Sequence, residues 1–455
     1  MWSRSKRWFM TYIAGLLAFN AGFASSAPVG IVSNILEYLH CSQEVAALTI
    51  SLFIFGYCVG PLLWGPLSEQ YGRRPIFLVA FPIYTAFQVG CALSHNAASL
   101  NIFRLLTGIF AAAPLTNSGC LTQPHRWDAR TRGKALAVFT VAPFIGPSFG
   151  PVVGGWISQS GTSWRWLFWV LTIFSGACIP AILLFLPETY APIILANKAQ
   201  LLRKSTGDPR YRAPFELGQR KTFRDWVDGT ILKPCIMLVQ EPMLIATTVY
   251  ISFVYGCMYL IFEAYPVVFT QEHHLDAGVS GMVYIPIAGG SLTGFFTYYF
   301  IFHPRYERAA AACAPSPVPP ELRLESAKWG APLFAIGFFW FGWTSYPSIP
   351  FWAPLFASVL LGTATIWIFL ALFNYIVDVY LFAAASALAA NTVVRSAASA
   401  GFPLFAPPMY ERLTPRWAST VIGCFSLFMV PLPFLLTRYG PALRAKSRFS
   451  STMHK

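Results

Sequence analysis

The chain has 455 residues, 56% of them hydrophobic and 11% charged, with a mean hydropathy of +0.54. Soluble proteins carry about a quarter charged residues, so a water-facing surface is excluded and the lipid bilayer is the solvent. The formal net charge of +14 names no partner until it is located along the chain.

The start "MWSRSKRWF" is a basic cap on an apolar run too long for a signal segment, so it reads as a retained first span. A span needs about 20 mostly apolar residues, and twelve runs qualify. They lie near 9–32, 45–64, 76–94, 100–121, 135–157, 166–186, 243–270, 280–302, 331–348, 351–377, 382–405 and 418–436. Spans nine and ten are divided only by "SYPSIP", residues 345–350. A polar segment with nine Lys and Arg divides the chain six plus six, and "AAAACAPSPVPPE" between spans eight and nine reads as a flexible linker.

Alternate loops carry very different charge. One side holds 27 of the 32 Lys and Arg, including Arg73, Arg74, Arg126, Arg130, Arg132 and Lys134, whereas the other holds Arg165, Arg412 and Arg416. The positive-inside rule then puts both termini in the cytoplasm. It also excludes nucleic acid, because the charge is spread over loops at a membrane face. The nine cysteines are scattered, without C-x-x-C or metal-ligand spacing, and read as small buried hydrophobes. His273 and His274 form a lone pair with no H-x-x-x-H box, which argues against a membrane enzyme.

Between spans two and three lies "GPLSEQYGRRP". Gly65 and Pro66 end a helix, Gly72 permits a tight turn, and Glu69, Arg73 and Arg74 stand where they engage helix ends. Span five reads "IGPSFGPVVGGW": Gly146, Gly150 and Gly154 leave one face nearly smooth, while Pro147 and Pro151, beside Gly155, weaken the backbone ladder. In span four, "NIFRLLTGIFAAAP" sets Arg104 about one turn inside the membrane, where a guanidinium needs a partner or a wet cavity. Few acids lie at membrane depth. Glu263 of span seven is the leading proton carrier, with Arg395 of span eleven at a depth where the two meet in proton coupling; the alternative is a structural ion pair between them. Asp378 reads as a cap at the start of span eleven, and Glu37 faces Arg104 if the first helix runs past Val32.

"GPLSEQYGRRP" resembles the signature loop of the major facilitator superfamily, with Glu69 where Asp is commoner. The resemblance implies that Glu69 and the arginines latch two six-span bundles together, Glu69 facing the N-terminal end of span eleven. The span-five pattern resembles the antiporter motif of drug:proton exporters, and Arg104 resembles the span-four arginine linked to proton coupling. "PETYAPIIL", "GTSWRWLFWV", "FWFGWTSYPS" and the run from "NYIVDVY" to "FAPPMY" are similar to fungal twelve-span drug:proton antiporters, including multidrug, polyamine and secondary-metabolite exporters. The short N-terminus departs from the long hydrophilic tail of many relatives. "PETYAP" stands where sugar porters resemble "PESPR", which argues against that branch.

The expectation is therefore an all-α integral membrane protein of twelve transmembrane helices in two six-helix bundles. Residues 1–187 form the N-terminal bundle, 188–242 a cytoplasmic linker loop, 243–438 the C-terminal bundle and 439–455 a cytoplasmic tail. The expected function is proton-coupled efflux of drugs, toxins or a secondary metabolite across the plasma membrane. A proton-coupled nutrient or vitamin importer is the alternative. The partners are a small organic substrate, protons and lipid; no cofactor beyond the proton gradient is needed, and the chain acts as a monomer. The cargo cavity lies between the bundles, with Asn391, Asn374, Tyr255, Tyr259 and Phe262 at suitable depth, together with Tyr265 and Trp367.

Overall fold

The computed structural model describes residues 3–118, 129–213, 216, 229, 232–313, 318–381 and 383–449. The described residues are helical or in turns, with no strand. In lipid no water satisfies backbone groups, and a helix satisfies them within its own segment.

Ten helical segments are long and apolar enough to cross a membrane. One of them, Ala384–Lys446, breaks at Thr414, where φ is 64° and ψ 156° just before Pro415, so it makes two passes, spans eleven and twelve. The helix Glu325–Thr344, with Glu325 and Lys328 in its first turn, makes the twelfth pass as span nine. The others are span one (Arg4–Leu39), two (Gln43–Tyr71), three (Arg73–Ala92), four (Ala97–Ser118), five (Ala129–Gln159), six (Arg165–Phe185), seven (Pro242–Glu272), eight (Ala277–Ala312) and ten (Trp352–Val379). Arg126 lies outside the described residues, as do the side chains of Arg130 and Arg132.

Spans one to six share one apolar core and spans seven to twelve another. Val29, Ile50, Ile54, Ala137 and Phe144 come from the first half yet pack into the second core, marking where the bundles touch. Exposed apolar side chains such as Leu184, Phe300 and Phe428 clothe the outside. Because lipid is as apolar as leucine, close backbone approach rather than water exclusion holds such helices together. A Cβ on Gly56 of span two would lie 2.6 Å from the backbone of Gly108 in span four. Spans eight and ten repeat the device, with Gly290 against Val359 and Gly362 against Ile287.

Several expected boundaries move. Span one runs beyond Val32 to Leu39 through a tightened turn at Ala27–Ile31. The segment 188–242 is not all loop, for Ala191–Thr206 and Lys233–Gln240 are helices. The last helix continues past residue 438 to Lys446, because Arg444 reaches Glu321 at 3.5 Å and Leu443 packs on the second core. Asp378 lies in the last turn of span ten rather than at the start of span eleven, and accepts from Arg323 Nε at 2.8 Å.

Candidate transport pathway and its gates

The signature turn is held from an unexpected direction. Gly72 adopts φ 94°, a conformation only glycine takes readily, and a Cβ there would collide with the Glu188 carboxylate. That carboxylate, from "PETY" after span six, caps the start of span three. Its Oε1 accepts the backbone N–H of Arg73 at 3.0 Å, Thr189 at 2.7 Å and Tyr190 at 2.8 Å, and its Oε2 that of Arg74 at 3.2 Å. An anion at a helix N-terminus satisfies orphan donors and complements the dipole. Arg73 is buried, its guanidinium 5.6 Å from the Tyr190 ring centre, while Arg74 donates to the Leu183 carbonyl at 3.2 Å. The two arginines thus bind the end of span six within their own bundle. Glu69 is exposed in the last turn of span two, which runs on through Gly65 and Pro66 to Tyr71 rather than ending there, and a Cβ on Gly65 would lie 4.0 Å from Thr116 of span four.

The span-five glycines serve two surfaces. Toward span one, a Cβ on Gly146 would lie 2.6 Å from Phe19 O, one on Gly150 2.5 Å from Ser26 Oγ, and one on Gly154 3.0 Å from Gly30 Cα. Ser26 Oγ also donates to the Pro147 carbonyl at 2.5 Å, an acceptor freed because Pro151 has no N–H to give it. Toward span eight, across the bundle interface, Gly155 meets the carbonyl of Ala277, and a Cβ on Gly281 would lie 2.6 Å from the Pro151 carbonyl. Gly278 N–H donates to Gln159 at 3.1 Å, and Gln43 of span two donates to Glu411 of span eleven at 3.2 Å. These contacts join the bundles at the face away from the basic loops.

Deeper in, aromatic rings fill the interface. Phe144 of span five lies 4.6 Å from Phe369 of span ten and 6.2 Å from Tyr255 of span seven, and Tyr255 lies 5.2 Å from Tyr259. Tyr259 hydroxyl shares a 3.1 Å hydrogen bond with Ser25 of span one. Between Phe144, Tyr255, Tyr259 and Phe262 only about 10 Å³ remains, room for at most one water. The three expected cavity residues of span seven therefore close the centre in this state. Asn374 turns back to the Leu370 carbonyl of its own helix at 2.7 Å, and Asn391 donates to Thr248 at 3.1 Å; neither lines this space. Trp367 donates to Thr297 of span eight, and Tyr265 bonds Ser358 of span ten.

Above this aromatic layer, toward the face away from the basic loops, a cavity of about 250 Å³ opens between spans one, two, five, seven, eight and eleven. Glu263 is the charged residue on its wall, beside Tyr284, Thr270, Gln271, Ser33 and Gln43. The carboxylate is buried and its Oε1 has no hydrogen-bond partner. Below the layer, the Arg395 guanidinium lies 4.3 Å from the Tyr255 ring centre. The expected Glu263–Arg395 ion pair does not form. Tyr255 precedes Glu263 by eight residues, about 12 Å along a helix, and the aromatic layer stands between the charges.

Among the described residues Arg104 likewise finds no carboxylate. Fully buried, it donates through Nε to Thr49 O at 2.7 Å and through Nη2 to Ser25 O at 3.2 Å, with its carbon centre 4.2 Å from the Phe53 ring centre. It ties spans one, two and four together. Glu37 is exposed on the extension of span one.

On the basic face of the second bundle, sequence reasoning missed a second anchor. Buried Glu241 accepts from Tyr380 hydroxyl at 3.1 Å and from the backbone N–H of Arg448 and Phe449 at 3.1 and 3.4 Å. Among the described residues no group of His, Cys, Asp and Glu is arranged to hold a metal ion.

Comparison with known proteins agrees with this architecture. The Major Facilitator Superfamily profile matches residues 14–403. "Efflux pump FUB11" of Gibberella moniliformis is 38% identical over 448 residues, covering 98% of this chain and 75% of that protein. The "major facilitator superfamily multidrug transporter mdrA" of Aspergillus fumigatus is 38% identical over 99% of this chain and 74% of its own length. The "citrinin biosynthesis cluster MFS transporter mrr1" of Monascus ruber is 38% identical over 99% and 89%. The Escherichia coli proton:xylose symporter XylE superposes with a TM-score of 0.68 at 16% identity over 96% of each chain, a likeness of fold. Two six-helix bundles meeting at a glycine seal and an aromatic layer, with this sequence match along nearly the whole chain, make the protein a membrane transporter rather than an enzyme, and it belongs to the Major Facilitator Superfamily.

Proposed function

We propose that this chain exports small organic molecules from the cytoplasm across the plasma membrane in exchange for protons. The observation that carries the reading is Glu263, a buried carboxyl with an unpartnered oxygen on the wall of a cavity. Such a group is costly to keep charged inside a membrane, and an ionisable residue retained there marks an ion or proton pathway. The names of the relatives, efflux pumps and a metabolite-cluster transporter, support the direction and the kind of cargo. The concentration of Lys and Arg on one side supports a cytoplasmic placement of both termini, with Glu263 toward the outside.

In this reading the bundles rock about the aromatic layer. Opening the Gly155–Ala277 seal exposes Glu263 to external protons, and opening the basic face exposes Tyr255 and Arg395 to cytoplasmic cargo. Proton and cargo shift the balance only by binding the two states unequally. A single chain and the proton gradient are sufficient for this cycle.

Growth of a pump-deficient host on a panel of toxic compounds identifies a cargo. Everted vesicles with an acidic lumen should then accumulate it. Uptake driven instead in right-side-out vesicles by an acidic bath would overturn export in favour of import.

A further inference from the structure

Arg395 stands near the middle of span eleven with no counter-ion among the described residues. Span eleven begins at Ala384, so this residue lies about 16 Å along the helix. Its guanidinium faces Tyr255 at 4.3 Å, with Phe369 and Phe373 at 5.8 and 5.9 Å, and Nε has no hydrogen-bond partner. No carboxylate of the described residues reaches it within 4.0 Å. One turn to either side on the same helix face stand Asn391 and Ser399, fully buried, whose Oδ1 and Oγ are also unpartnered.

A permanently charged guanidinium in hydrocarbon calls for an anion. Rings cover its flat face and leave its N–H edge, the geometry that pairs with a carboxylate. The neighbouring aromatic walls suit a flat ring system attached to that carboxylate. We propose that the cargo class is flat aromatic carboxylic acids, bound as the anion, with the carboxylate on the Arg395 edge and the Ser399 hydroxyl beside it as a further donor. This rests on the export reading for its direction of movement, though not for its binding chemistry. The anionic cargo and the proton are then served by separate groups of opposite sign, Arg395 below the aromatic layer and Glu263 above it.

The test uses the full chain in lipid nanodiscs and three matched probes: 2-naphthoic acid, 2-naphthamide and 2-naphthylmethylamine. The acid should bind at least about tenfold more tightly than amide or amine, a preference that Arg395→Gln removes, since loss of a charged partner costs at least that much. Arg395→Lys should restore part of the preference, which a loss of folding would not allow. Equal binding of acid and amide, preference for the amine, or an acid preference surviving in Arg395→Gln overturns the proposal. Everted-vesicle accumulation separates this from the export reading. Arg395-dependent acid binding without such accumulation leaves the seat standing and removes export, whereas accumulation of other cargo with no acid preference does the reverse.

Discussion

Glu188 and Arg73 are joined at 3.0 Å, carboxylate oxygen to backbone N–H, across 115 residues of chain. The bond fastens the basic turn after span two to the exit of span six. The turn is thereby made part of a rigid bundle, so that motion at its outer edge is motion of the whole bundle.

Removing that acceptor leaves four N–H groups to find other partners. Glu188→Ala should lower stability by about 1–3 kcal/mol, and Glu188→Gln, which keeps one carbonyl oxygen, by less. The midpoint of thermal unfolding in nanodiscs reads this, and equal midpoints for wild type and Glu188→Ala would remove the capping role.

The two surfaces of span five should separate by mutation. A side chain at Gly155 overlaps the Ala277 carbonyl across the bundle interface, whereas one at Gly150 overlaps Ser26 inside the first bundle. Gly155→Leu should therefore wedge the far face open and raise labelling of a Ser280→Cys reporter, buried on the cavity wall in the sealed state, by an impermeant thiol reagent, in a background lacking Cys41. Gly150→Leu should instead destabilise, by about 1–3 kcal/mol for an overpacked contact. Unchanged labelling in Gly155→Leu would deny the seal.

Arg104 is clasped by carbonyls of Thr49 and Ser25 and stacked on Phe53, a geometry an ammonium does not reproduce. Arg104→Lys is expected to cost about 1–3 kcal/mol of stability, read as a lowered unfolding midpoint. The protons moved per cargo molecule, measured on the folded fraction, should stay the same. A changed ratio would return Arg104 to the coupling machinery.

What the sequence made legible follows from the range of each signal. The spans are local apolar runs, and Gly146, Gly150 and Gly154 announce a smooth face by spacing alone. That Gly155 serves a different helix in the other bundle has no local signal. Glu188 belongs to "PETYAPIIL", but only the fold brings it under Gly72. Arg104 was visible as a charge in an apolar run, yet its partners are backbone carbonyls, which no residue type betrays. Asn374, polar and at the right depth, bonds its own helix, as a buried amide can wherever a carbonyl one turn back is in reach. Glu263 and Arg395 do not pair because each helix sets its own depth: span seven advances about 1.5 Å per residue, and eight residues separate Glu263 from Tyr255, the level at which Arg395 stands.

In the proposed cycle the exchanged proton has one carrier, Glu263. The most direct test of that role is cargo-induced release of protons from acid-loaded everted vesicles, with Glu263→Gln beside wild type and cargo counterflow as the measure of folded carrier. Wild type should release protons when cargo is added outside, and Glu263→Gln should exchange cargo in counterflow while releasing none. Proton release by Glu263→Gln at the wild-type rate would remove Glu263 as the proton carrier.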